Sequence, residues 1–243
     1  MFSIFKKEIV AFFSSLIGYL AVGVFWLLCV WFLWLSPTEY NILRMGYANL
    51  DGLFLIAPWV FLFLAPAITM RSFAEERKTG TIEMLLTRPI TDMQLIFGKF
   101  FATVALVIIA LLPTLLYFYT VYALGKPVGN IDTGAFWGAY LGLLLLASCY
   151  LSVGIFASSL TDNQIVAFIV AALIAFFLYL GFDSLAALPW FKTNNQLLSN
   201  LGISAHYKSI SRGLIDIADI AYFMGVSLFF LLATRLKLQA RKW

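Results

Sequence analysis

The sequence predicts an all-α integral membrane protein with six transmembrane helices and cytoplasmic termini, and three observations carry that reading. Of the 243 residues, 63% are hydrophobic and only 12% charged, with a mean hydropathy of +0.94, which is far above the apolar share of a soluble domain. Six uncharged runs follow one another, at 9–38, 52–70, 100–125, 133–161, 163–182 and 220–234. Eleven of the sixteen Lys and Arg fall at the N-terminus, in the second connection or at the C-terminus. By the positive-inside rule this excess puts both termini in the cytoplasm.

Taken in order, the first run has thirty residues without a charge and no short core with a cleavage site, so it reads as a retained span. Pro58 and Pro66 fall in the second run and Pro113 in the third, where each kinks its helix unless neighbours satisfy the freed carbonyls. The sixth run is the shortest. Its fifteen residues rise roughly 23 Å against a hydrocarbon core of about 30 Å, a gap that Arg235 and Lys237 close by snorkelling.

The second connection, 71–99, contains FAEERKTGTIEMLLTRP. Arg71 to Lys78 continues the second helix, and Gly80 suits a left-handed cap. Thr81-Ile82-Glu83 restarts a short helix with an acid in its first turn, and Arg88-Pro89 stops it. Thr91-Asp92-Met93-Gln94 has capping-box spacing, so the third helix begins at Asp92. Further on, 158–164 (SSLTDNQ) is a tight turn with Asp162 or Asn163 as a cap. Segment 183–219 mixes Leu, Trp and Phe with Asn and Gln, the pattern of short amphipathic or re-entrant helices at the outer interface. The chain is one membrane domain, 1–243, with two elaborated loops.

Several classes are disfavoured by what the sequence lacks. Spans drawn at these boundaries hold no acidic, basic or histidine residue, which argues against an ion-coupled carrier. There is no HExxH, no GxSxG and a single histidine, His206, so neither catalysis nor a metal site is expected. Gly98-Lys99-Phe100 and Gly125-Lys126-Pro127 lack the glycine spacing and the hydroxyl of a P-loop, so any nucleotide is held by another chain. The net charge of +4 reflects topology rather than nucleic-acid binding. Cys29 and Cys149 read as small hydrophobes. The tail RLKLQARKW suits anionic lipid, and Tyr117, Tyr119 and Tyr122 suit an aromatic interface belt. His206 reads as a hydrogen-bonded or interfacial side chain rather than a ligand, and Arg212 is spaced to meet Asp216 or Asp219.

The short helix after Gly80 is too apolar for open water and too short to span, so it wants a groove in the bilayer surface or in a partner. On spacing alone, a solvated loop that merely sets topology stays open. The order Glu, Gly-Thr, Glu, Leu-Leu and Pro in FAEERKTGTIEMLLTRP resembles the cytoplasmic connection of type 2 ABC exporter permeases. HYKSISRGLIDIADIAYF, residues 206–223, resembles the same family's gliding-motility and nitrous-oxide-reductase-maturation branch, with the gliding-motility-associated permease subunit the nearest likeness.

That resemblance implies a coupling helix from Thr81 to Leu86 docked on a separate ABC ATPase subunit, which binds ATP and Mg while this chain carries no cofactor. Glu75, Glu76 and Glu83 would meet basic groups there, Leu85 and Leu86 would fill an apolar notch, and Gly80 and Pro89 bound the helix. It also implies an exterior gate holding His206, Arg212, Gly213, Asp216 and Asp219. A second permease copy or related chain, an extracytoplasmic gliding-associated partner and the bacterial cytoplasmic (inner) membrane complete the expectation. Two rival readings stand beside it: a non-transporting membrane anchor of a larger machine, and an ATP-independent channel or secondary carrier.

Overall fold

The computed structural model describes residues 1–44, 46–82, 91–189 and 195–240, and every regular element among them is helical. Helix α1 (Phe2–Phe13) stands apart from the first span, α2 (Leu16–Val30), which continues through a π-helical turn, Trp31–Leu35. The run from residue 9 is therefore not one span, contrary to expectation. Ser14 and Ser15 hydroxyls bond back to the carbonyls of Ala11 and Phe12, competing with the helix ladder, and Ser15 then caps α2 by accepting from the Gly18 N–H.

The second span is α3 (Asp51–Thr69), followed after a bend by α4 (Ala74–Lys78). The third joins α5 (Asp92–Leu111) through a 3₁₀ turn at Leu112–Thr114 to α6 (Leu115–Leu124). Helix α7 (Thr133–Leu160) is the fourth, and α8 (Gln164–Phe176) with α9 (Phe182–Ala186) makes the fifth. Short helices α10 (Asn195–Ser199) and α11 (Ile203–Ile210) precede the sixth, α12 (Ile217–Gln239). Six segments are thus long and apolar enough to cross a bilayer, as the sequence predicts.

The sixth span needs no snorkelling, because its 23 residues rise roughly 35 Å. Its start was underestimated because Asp219 interrupts the uncharged run, yet that residue lies inside the first turn, with Asp216 as the N-cap accepting from Ala218 N–H. The third span begins where its box predicts: Thr91 accepts from Gln94 N–H, and Gln94 returns the bond to Thr91 N–H. Asn163 rather than Asp162 caps α8.

Helix α7 is the pillar of the bundle, with small residues where neighbours come closest. Gly154 faces α3 so tightly that a Cβ there would overlap Thr69 Oγ1, and Gly138 and Gly142 receive Gly213 and Ile210 from the loop beyond α11 and from α11 itself. Close backbone approach of this kind is how helices pack without a solvent-driven hydrophobic term. The carbonyl that Pro58 leaves free is taken up by a neighbour. Pro58 has no N–H for the Phe54 carbonyl, and the Tyr207 hydroxyl of α11 donates to it instead at 2.7 Å. Near Pro113, the carbonyls of Ala110 and Leu111 receive the Trp26 indole N–H and the Tyr140 hydroxyl. Burial holds the Tyr207 phenol well above its ordinary ionisation range, so it stays a donor. Tyr207→Phe is expected to lower stability by about 1–3 kcal/mol, read by thermal unfolding in lipid nanodiscs, because the Phe54 carbonyl is left unpaired.

Candidate functional site: an ionic node at one end of the bundle

Where α3 ends, the chain turns through Met70 to Phe73 before α4, and a bend of this kind leaves backbone groups without helical partners. One hydroxyl satisfies three of them. Ser158, fully buried near the end of α7, accepts from Phe73 N–H at 2.9 Å and Ala74 N–H at 3.0 Å and donates to the Met70 carbonyl at 3.0 Å. Arg77 adds a bond from Nη1 to the Ser159 carbonyl at 2.6 Å. Ser158→Ala is expected to cost about 2–4 kcal/mol, since it strands two buried donors at once, and to raise amide exchange at residues 73 and 74 selectively.

Beside Ser158 lies the most enclosed charge among the described residues. Lys99, 1% exposed, rises from α5, donates to Glu8 Oε1 of α1 at 2.6 Å and to the Ser72 carbonyl at 2.6 Å, and forms an ion pair with Glu76 Oε1 of α4 at 3.0 Å. The same Glu76 oxygen accepts from Lys7 at 2.8 Å. Two lysines and two carboxylates thus balance, which is the condition for keeping charge away from water. Phe73 lies under the ammonium, 5.0 Å from it to the ring centre. A cleft of about 590 Å³ opens next to this node between α1 and α4, lined among others by Lys7, Glu8, Arg71, Glu75 and Glu76.

The expectation that no acidic, basic or histidine side chain enters the spans is corrected here. Lys99 lies in the third span and Asp219 in the sixth. The sequence boundary failed at Lys99 because a lone lysine at the head of an apolar run looks like the edge of a loop; its acid partners come from residues 8 and 76, far away in the chain.

Of the residues the sequence singled out in the second connection, Glu75 forms a bidentate pair with Arg71, Nε to Oε2 at 2.8 Å and Nη2 to Oε1 at 2.9 Å, and stays partly exposed. Glu76 faces inward. Gly80 takes the left-handed conformation, φ +70°, that a helix-ending residue needs. Thr81 is exposed at the helical restart, its hydroxyl 3.0 Å from that of Thr79, and Ile82 beside it is buried. Glu83, Leu85, Leu86 and Pro89 lie outside the described residues, as does Trp243 of the tail.

At the opposite end, the structure brings His206 and Asp219 together at 2.6 Å but not Arg212 with either aspartate. Asp216 is occupied as a helix cap, and residues 214–216 are not helical, so the expected spacing never forms. Gly213, φ +81°, packs its backbone against Ala135 and Gly138 of α7. The sequence pattern missed Lys7, Glu8, Lys99 and Ser158 as site residues; the one visible signal was a lone lysine immediately before the apolar run that starts at residue 100.

No curated protein sequence matches the chain. A family does: residues 4–234 match the family described as ABC-2 family transporter protein, a stretch that takes in α1, the ionic node and all six spans as far as Thr234. The chain belongs to that family, as a multi-pass membrane permease subunit of an ABC transporter, which implies an ABC ATPase as partner and, usually, a dimeric assembly.

Proposed function

We propose that the 71–99 connection is the coupling element of this permease and that the ionic node passes its movement to the spans. The observation that carries this reading is the fastening of one short segment to three helices. Residues 70–77 are bound to α7 through Ser158 and the Ser159 carbonyl, to α5 through Lys99, and to α1 through Lys7 and the shared Lys99. A push on Thr81 to Leu86 therefore moves α4 against elements that cannot yield separately. Packed, hydrogen-bonded elements with discrete arrangements are what carry energy between distant sites.

In this reading the node lies on the cytoplasmic side of a bacterial inner membrane. Glu83, Leu85 and Leu86, with Glu75 at the margin, face the ATPase, while Glu76 acts inside as a link. ATP and Mg stay with the ATPase. Two permeases, identical or related, flank the path, and the loop from Asp183 to Asp219 closes it outside as a gate. The likeness of residues 206–223 to the gliding-motility branch supports work in gliding, with an extracytoplasmic partner, as export or as mechanical force.

A photo-crosslinking amino acid placed at position 85 of the full chain, in cells of its own host, tests the docking. Capture of a nucleotide-hydrolysing subunit is expected from position 85, and none from a control position at Tyr47. Equal capture from both, or none from either, contradicts the reading.

A further inference from the structure

His206 is the sole histidine of the chain, and it stands where α11, α12 and the turn after α10 meet. Its Nδ1 lies 2.6 Å from Asp219 Oδ1 and its Nε2 lies 2.8 Å from the Asn200 carbonyl oxygen. Both partners are acceptors. A neutral imidazole has one N–H and serves only one of them, whereas an imidazolium donates to both. Flipping the ring changes nothing, because each position faces an acceptor. Moving the shared proton to Asp219 would keep the count, but a carboxylate is ordinarily the weaker base by about two pH units.

The surroundings favour the cation as well. The ring stacks on Tyr222, centres 3.9 Å apart, and an aromatic face attracts positive charge. Tyr222 in turn donates its hydroxyl to the Leu201 carbonyl at 2.6 Å, so α12 grips residues 200 and 201 together. None of the other charges described on neighbouring elements is paired with His206. Asp183 of α9 accepts from Ser204 at 2.6 Å and Lys208 at 3.3 Å, Asp216 caps α12, and Arg212 borders a separate cleft with Asp51 and Asp132.

We infer that His206 is a protonation-dependent latch, a positioning residue that as imidazolium fastens the turn at Asn200 to α12. When the ring loses a proton, Asp219 keeps the remaining N–H, and the Nε2 lone pair then faces the carbonyl oxygen without a hydrogen between them. Rising pH thus removes one of the two ties that hold the turn at residues 200–202 to α11 and α12, loosening it on the remaining Tyr222–Leu201 bond, while α11 stays bound to α12 through Asp219. The inference rests on the gate reading only for its bearing on transport; the charge state of the ring stands apart from it.

The test uses the full chain labelled with ¹⁵N in the histidine ring, in phosphatidylcholine–phosphatidylglycerol nanodiscs, where one histidine gives one pair of ring signals. Both nitrogens are expected to be protonated at the acid end of a titration over about pH 5 to 8, the usual range of histidine charge change. As Nε2 loses its proton, amides of Asn200, Leu201 and Gly202, which are hydrogen-bonded within this turn, should exchange roughly five- to tenfold faster after correction for intrinsic rates. Amides of α7 should not change. His206→Gln should abolish the step, and the wild-type titration decides the matter even if that variant misfolds. A ring neutral throughout, or one that titrates with no change in exchange, overturns the latch. A latch that titrates while ATP-driven activity of the complex ignores pH would instead sink the gate reading and leave the latch standing.

Discussion

Lys99→Met is expected to lower the stability of the bundle by about 3–5 kcal/mol, because it leaves the inward carboxylates of Glu8 and Glu76 facing each other with a cation removed. Three fastenings go at once: α5 to α1, α5 to α4, and α5 to the Ser72 carbonyl in the bend. Thermal unfolding in nanodiscs reads the loss. A double-mutant cycle with Glu76→Gln separates the pair from the burial of either member, and the coupling should be well above the additivity error of about 0.5 kcal/mol. Lys99→Arg keeps the charge but brings a larger, planar head into a site 1% exposed, so only part of the stability should return. If the node transmits motion, Glu8→Gln, which leaves Lys99 its other two partners, should weaken ATP-driven activity of the assembled complex more than it weakens folding.

Gly154→Val is expected to destabilise the contact between α3 and α7 strongly. A Cβ at this position would overlap Thr69 Oγ1 and stand 2.9 Å from Thr69 Cβ, and both residues sit inside the tightest part of the α3–α7 contact. Thr69 has little room to move, since it is fully buried and its hydroxyl is held by the Ala65 carbonyl at 2.7 Å. Overpacking of this kind costs about 1–3 kcal/mol in well-packed cores, and branching at Cβ takes it to the upper end. The same displacement pulls Met70 and Phe73 from Ser158, one turn further along α7, so selective loss of the bend should accompany the loss of stability. Adding Thr69→Ala to Gly154→Ala should restore part of the stability: Oγ1 is gone, but the Cβ contact remains.

Six spans, the cap at Gly80 and the capping box at Thr91 were legible in the sequence because each is a local signal: an uncharged run, a glycine after a charged turn, a hydroxyl three residues before a glutamine. The break at Ser14 and Ser15 was hidden because serines within an apolar run do not lower hydropathy enough to interrupt it. The sixth span was drawn short for the opposite reason, since Asp219 is hydrophilic but finds its partner in His206. The inward half of the site was illegible for a physical reason. Lys99, Glu8 and Glu76 are compatible with a membrane only as a set, and residues 8, 76 and 99 declare themselves a set only once α1, α4 and α5 are packed. Ser158 is similar, an ordinary serine near a turn until the bend at residues 70–74 presents it with three backbone groups.

The most direct test of the account is affinity purification of the full chain from mild detergent, wild type beside a Glu83→Lys, Leu85→Asp double variant, with identification of retained proteins and assay of ATP hydrolysis. The account predicts that the wild type retains an ABC ATPase and that the variant loses it while still inserting and unfolding at an unchanged temperature. A wild-type chain that retains no ATPase, or a folded variant that retains it undiminished, would contradict the assignment of the 71–99 connection as the coupling element.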